Sequence, residues 1–130
     1  MIVATIRMAV SAGSRDQALS FFRAMTGRSR VHPGCLSSRV YTDEQEDNVL
    51  MFEQVWGNEA DLDRYLKSDE YQKILVFLET AIVQPEIKFN TVSSSTGIET
   101  IRRARGLTVE GEDPGLPGLK NNHSETLEMK

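Results

Sequence analysis

A single cysteine, Cys35, stands among the 130 residues. No intrachain disulfide and no cysteine-built zinc site can therefore form, and a reducing compartment is expected. No apolar stretch approaches the roughly 20 residues needed to cross a bilayer. Arg7 interrupts the N-terminal segment where the apolar core of a signal peptide would lie, so the expected location is the cytoplasm and no membrane partner is expected. An excess of basic residues is also missing: 15 Lys and Arg face 19 Asp and Glu, for a net charge of -4. That sign opposes a phosphate backbone, and nucleic acid is not an expected partner. Absent too are a Gly-rich phosphate loop, an HExxH pair and a nucleophile elbow, so no cofactor and no metal is expected.

What the sequence does contain is organised around residues 48–66. From Val49 to Trp56 the side chains sort into Val49, Met51, Glu53 and Val55 on one side and Leu50, Phe52, Gln54 and Trp56 on the other. Those are the two faces of a pleated strand, both mostly apolar, so the strand belongs inside a layered fold. Residues 2–10 alternate Ile2, Ala4, Ile6, Met8 and Val10 against Val3, Thr5, Arg7 and Ala9, which predicts a first strand.

Ser14 with Gln17 has the capping-box spacing, and Ala18, Leu19, Phe22 and Met25 fall at helical intervals as far as the stop at Pro33-Gly34. Residues 35–41 predict a second strand. The acidic run 42–48 predicts a hairpin loop, because it lacks the oxygen spacing and central glycine of a calcium loop. Asn58 caps a short helix with Leu62, Tyr65 and Leu66 on one side. Ser68 caps a second, whose stripe runs Tyr71, Ile74, Leu75, Leu78, Ala81 and Ile82 to Pro85. Residues 86–92 supply a fourth strand.

The order β-α-β-β-α-β predicts an α+β, ferredoxin-like domain over residues 1–95, with helices on one face of a four-stranded antiparallel sheet. The other face would be bare, and its apolar residues form a patch too large to leave in water. At about 25 cal/mol per Å2, covering several large side chains contributes several kcal/mol, so a homodimer closed sheet to sheet is expected. A capping box of Thr96 and Glu99 predicts a short helix within 96–106. Residues 107–130 carry five acids against two lysines, with several glycines and prolines and no aromatic residue. They predict a flexible tail or one draped on a partner.

The run His32-Pro33-Gly34-Cys35-Leu36 before a strand, the strand end Glu53-Gln54-Val55-Trp56, and Ser68-Asp69-Glu70-Tyr71 on the following helix resemble the antibiotic biosynthesis monooxygenase family. The resemblance spans roughly residues 1–95. It implies a dimeric α/β barrel and cofactor-independent oxygenation of a small aromatic or hydroquinone, in which the substrate's own anion reduces dioxygen. Trp56 matches the family tryptophan at the end of the third strand. Phe52, however, stands where polyketide-oxidising members place an asparagine. The first strand has no Asn, and residues 69–83 have no His, with Leu75 about where the ligand of heme-degrading members would lie, so heme degradation is disfavoured.

The candidate catalytic residues are thus Trp56, to stack on a planar substrate, and Tyr65 and Tyr71, as proton donors or bases. Phe52, Arg7 and Arg39 are the candidate substrate-binding residues, the arginines to stabilise an enolate or phenolate. For each a plainer role competes: core packing for the aromatics, pairing with Glu53 or solvation at the rim for the arginines. His32 is read as a solvated loop residue. The alternative function is a non-catalytic, stress-related or ligand-binding barrel in which the same side chains merely pack.

Overall fold

The computed structural model describes residues 1–107. Its elements run β1 (Ile2–Ala9), α1 (Arg15–Ser29), β2 (Cys35–Thr42), β3 (Val49–Trp56), α2 (Glu59–Leu66), α3 (Asp69–Leu78), β4 (Glu86–Thr91) and α4 (Ile98–Ala104). The four strands form one antiparallel sheet in the order β2-β3-β1-β4. This is the α+β, ferredoxin-like architecture that the element order predicts. The chain divides into two compact units, Met1–Ser93 and a second beginning at Ser94. The tail expected over 107–130 falls, apart from Leu107, outside the described residues.

Register decides which side chains share a face. Ile2 pairs with Trp56, Ala4 with Gln54, Ile6 with Phe52 and Met8 with Leu50, so all of these point to the helices. Together with Phe22, Met25, Leu62, Tyr65, Tyr71 and Ile74 they make the core. Each large apolar side chain buried there contributes about 1.5–3 kcal/mol. The opposite face carries Val3, Thr5, Arg7 and Ala9 beside Val55, Glu53, Met51 and Val49. It stays half-buried apart from Val49, which is buried at the edge where the loop of Asp43 and Glu46 reaches Arg7.

Three local expectations are corrected. Ser14 precedes α1 but makes no side-chain cap. A 3-10 turn over Ala12–Ser14 comes first, and the Ser14 hydroxyl accepts from Ser11 Oγ at 3.0 Å instead. α3 ends at Leu78 rather than running toward Pro85. The amides of Glu79, Thr80 and Ala81 close tight turns onto Val76, Phe77 and Leu78, and Ile82 donates to Ala9 O at 3.1 Å, leaving the Ile82 and Val83 side chains exposed. In the second unit α4 begins after Gly97 without a Thr96 cap, because Thr96 Oγ1 bonds Thr100 Oγ1. The Glu99 carboxylate supplies half of the expected box by accepting from Gly97 N–H at 2.7 Å.

The caps of the second crossover form as read. Asn58 Oδ1 accepts from Asp61 N at 2.8 Å and Ser68 Oγ from Tyr71 N at 3.2 Å. Between α1 and β2 the chain turns through Gly34 at φ 86°. A side chain there would be strained in this left-handed conformation and would collide with Asp61 on α2. Gly34 O also accepts from Gly57 N at 2.9 Å, tying this turn to the end of β3.

Candidate functional site

β3 delivers three inward residues at intervals of two, Phe52, Gln54 and Trp56. α2 and α3 lay Leu62, Tyr65, Tyr71 and Ile74 over them at helical spacing. The result is a run of touching rings. Trp56 stacks on Tyr65 with centroids 4.8 Å apart, Tyr65 meets Tyr71 edge-on at 5.4 Å, and Phe52 packs on Phe22 at 5.0 Å. His32, expected in solvent, instead sets its ring edge-on to Tyr65 at 5.1 Å, and its Nε2 lies 2.6 Å from Glu70 Oε1. The turn between α1 and β2 supplies His32, and the first turn of α3, capped by Ser68, supplies Glu70.

A polar thread crosses the same core. Gln54 Nε2 donates to Tyr65 Oη at 3.3 Å and to Ser38 Oγ at 3.2 Å, and the Ser38 and Ser29 hydroxyls bond at 2.8 Å. Gln54, Ser38 and Ser29 are all buried. Trp56 Nε1 has no hydrogen-bond partner among the described residues although Trp56 is 0% exposed. Such an orphan donor is uncommon in a packed interior and calls for an acceptor. Burial pushes the Tyr65 phenol up to about 12, against the smaller stabilising effect of the Gln54 hydrogen bond, and burial raises Tyr71 as well. Both tyrosines are therefore neutral near pH 7. They can donate a hydrogen bond and cannot serve there as bases.

Between the sheet and the second crossover lies a cleft walled by Phe52, Gln54, Leu62, Leu66, Tyr71 and Phe89. It encloses about 10 Å3, the space of one water. β4 forms its open side, where Ile87 and Phe89 stay largely exposed. Of the six predicted site residues, Phe52 and Tyr71 line the cleft. Trp56 and Tyr65 sit behind it in the core. Arg7 and Arg39 are on the other face of the sheet, where Arg7 pairs with Asp43 at 2.8 Å and Glu46 at 3.4 Å rather than with Glu53. Glu53 accepts instead from Tyr41 Oη at 3.4 Å. Gln54 was not among the predicted residues. Its signal was there to read, as a polar side chain alternating in phase with Phe52 and Trp56.

No helix among the described residues is long and apolar enough to cross a membrane. Comparison with solved structures finds the same fold in several proteins of low sequence identity. A Deinococcus radiodurans protein described as a candidate antibiotic biosynthesis monooxygenase superposes with a TM-score of 0.70 at 15% identity, over 75% of this chain and 98% of that one. Rv0793 of Mycobacterium tuberculosis gives 0.67 at 15% identity, over 74% and 98%. A conserved protein of Methanosarcina mazei gives 0.64 at 20% identity, over 68% and 89%. Among curated sequences, the uncharacterised protein sll1783 of Synechocystis is 27% identical over 95 residues, which are 72% of this chain. The chain spans 65% of that relative's length. The profile of the antibiotic biosynthesis monooxygenases matches residues 1–75, which take in β1 through most of α3 and with them the rings of Phe52, Trp56, Tyr65 and Tyr71, and the chain belongs to that family.

Proposed function

We propose that this protein is a homodimeric, cofactor-independent oxygenase of a small aromatic, a hydroquinone, bound between the sheet and the second crossover. The observation that carries the reading is the buried indole N–H of Trp56, which lacks an acceptor and stacks on Tyr65. Tyr65 Oη takes its hydrogen bond from Gln54, so its own proton is free to donate. Two neutral donors in an apolar enclosure suit a phenolate oxygen, whose charge they would stabilise once the cleft in front of them opens to admit it. Tyr71 and Phe52 supply apolar walls for the ring. Arg7 and Arg39 would face the second sheet of the dimer, where the apolar strip of Val3, Met51 and Val55 is flanked by charge.

With both tyrosines neutral, the substrate's proton leaves to water. Turnover then rises with pH toward the ordinary phenol value near 10. Entry requires Leu62, Leu66 and Tyr71 to yield, since the closed cleft holds one water. That small volume favours a second reading, a non-catalytic barrel whose aromatics only pack.

Oxygen uptake with a panel of hydroquinones and polyphenols separates the two. The first reading expects uptake that climbs with pH and falls at least tenfold in Trp56→Phe, which keeps a ring and drops the N–H. Loss of one donor from such a site costs that much or more. Absence of uptake with every compound leaves the packing barrel, and uptake undiminished in Trp56→Phe removes the indole N–H from the reaction.

A further inference from the structure

The outer surface of the helical layer holds a second concavity, separate from the cleft. It is an open groove of about 300 Å3 between α1 and α3, lined by Phe21, Gln72, Lys73, Val76 and Phe77. Its floor is aromatic. The Phe21 and Phe77 rings stack 4.2 Å apart at 11°, and Phe22 closes the underside edge-on to both.

α3 turns Tyr71, Ile74 and Leu78 inward, so the core does not recruit Val76, which is 55% exposed. A polar side chain would be usual at such a position. Lys73 lies three residues before Val76 and four before Phe77, on the same helical strip. Among the described residues no carboxylate comes within ion-pair distance of it, although Asp69 stands one turn earlier on the same helix. An unclaimed ammonium at the edge of an aromatic groove, with the Gln72 carboxamide as a neutral donor, is complementary in charge and polarity to an amphipathic monoanion.

We propose that this groove is a binding site for a small aromatic carboxylate. The ring lies against Val76 and the edges of Phe21 and Phe77, where edge-to-face contact adds to area burial, and the carboxylate meets Lys73. One ammonium matches one negative charge, so a monoanion fits and a phosphomonoester dianion is left half-paired.

Amide NMR of the full chain titrated with 2-naphthoate tests it. Saturable shifts are expected at Phe21 and residues 72–77. Lys73→Gln should weaken binding by about fivefold, the upper end for an exposed charge pair, and Val76→Asp should abolish it. Both substitutions are at the surface and leave the core intact. The proposal is overturned if neutral 2-naphthol binds as tightly as 2-naphthoate, if octanoate saturates the groove at lower concentration, or if both variants bind like the parent. Shifts centred on Tyr71 and Phe89 would overturn it as well, by placing the ligand in the cleft. The oxygenase reading stands or falls separately, on oxygen uptake.

Discussion

The two faces of the sheet are made by the same strands and are used in opposite ways. Toward the helices, β3 presents Leu50, Phe52, Gln54 and Trp56, each at most 3% exposed. Away from them it presents Met51, Glu53 and Val55, half-buried, beside Arg7, Arg39 and Tyr41 of its neighbours. One face is finished along β1 and β3, with Ile87 and Phe89 of the edge strand left exposed on it. The other has an apolar strip bordered by charge, the composition of an interface with a polar rim. The difference teaches that what the helices cover is fixed by packing, while what they leave bare is free to be specified by a partner.

The largest expected effects come from adjacent residues on opposite faces. Trp56→Ala should lower unfolding free energy by about 3–5 kcal/mol, the usual range for deleting a large buried aromatic. Val55→Asp, one position away, should keep the far-ultraviolet circular dichroism of the parent and sediment as a single subunit where the parent sediments as two. A parent that is already a single subunit at micromolar concentration would break the comparison at its second half.

Next in size is an alkaline effect centred on the helix face. The Tyr65 phenol is raised from 10.0 to about 12 in the fold. An acid held neutral by burial contributes stability that is fully present below its unfolded value and is lost as pH climbs toward its folded one. The unfolding free energy from urea titration should therefore fall between pH 10 and 12 by an amount on the order of 2–3 kcal/mol, at about 1.4 kcal/mol per pKa unit. Tyr65→Phe should flatten this slope. A Tyr65→Phe protein as alkali-sensitive as the parent would place the titrating group elsewhere.

The smallest contrast is between neighbouring polar residues. Gln54→Leu leaves the buried Tyr65 hydroxyl without its donor and Ser38 with Ser29 alone, and denaturation should register a loss of about 1–3 kcal/mol. Glu53→Leu, on the bare face, should change the stability of the isolated subunit by less than about 0.5 kcal/mol. Equal losses from the two would mean that the bare face is as tightly specified as the core.

The fold was legible because period-2 and helical spacing are imposed by burial, and burial here is strong. Val49 to Trp56 and Ala18 to Met25 carry their faces openly. The caps at Asn58 and Ser68 were readable from one side chain each. The cap at Ser14 was not, since a competing hydroxyl at Ser11 and a 3-10 turn decide it. The site was less legible. Trp56 and Tyr65 announced themselves as large aromatics, but aromatic identity does not say whether a ring lines a cleft or lies behind one. Arg7 looked like a buried charge because its neighbours are apolar, while its partners, Asp43 and Glu46, come from a loop 36 and 39 residues away. His32 and Glu70 are 38 residues apart. No local pattern predicts that they meet.

The turn at Gly34 also bears on the shape of the cleft. Asp61, against which that glycine packs, belongs to the helix that brings Leu62 and Leu66 over the sheet, and it is anchored there by Asn58 and Arg64. A larger residue at this point must displace the Asp61 side chain, and lifting α2 to make that room would widen the cleft. A one-carbon difference at this turn would then set how large a guest the cleft admits.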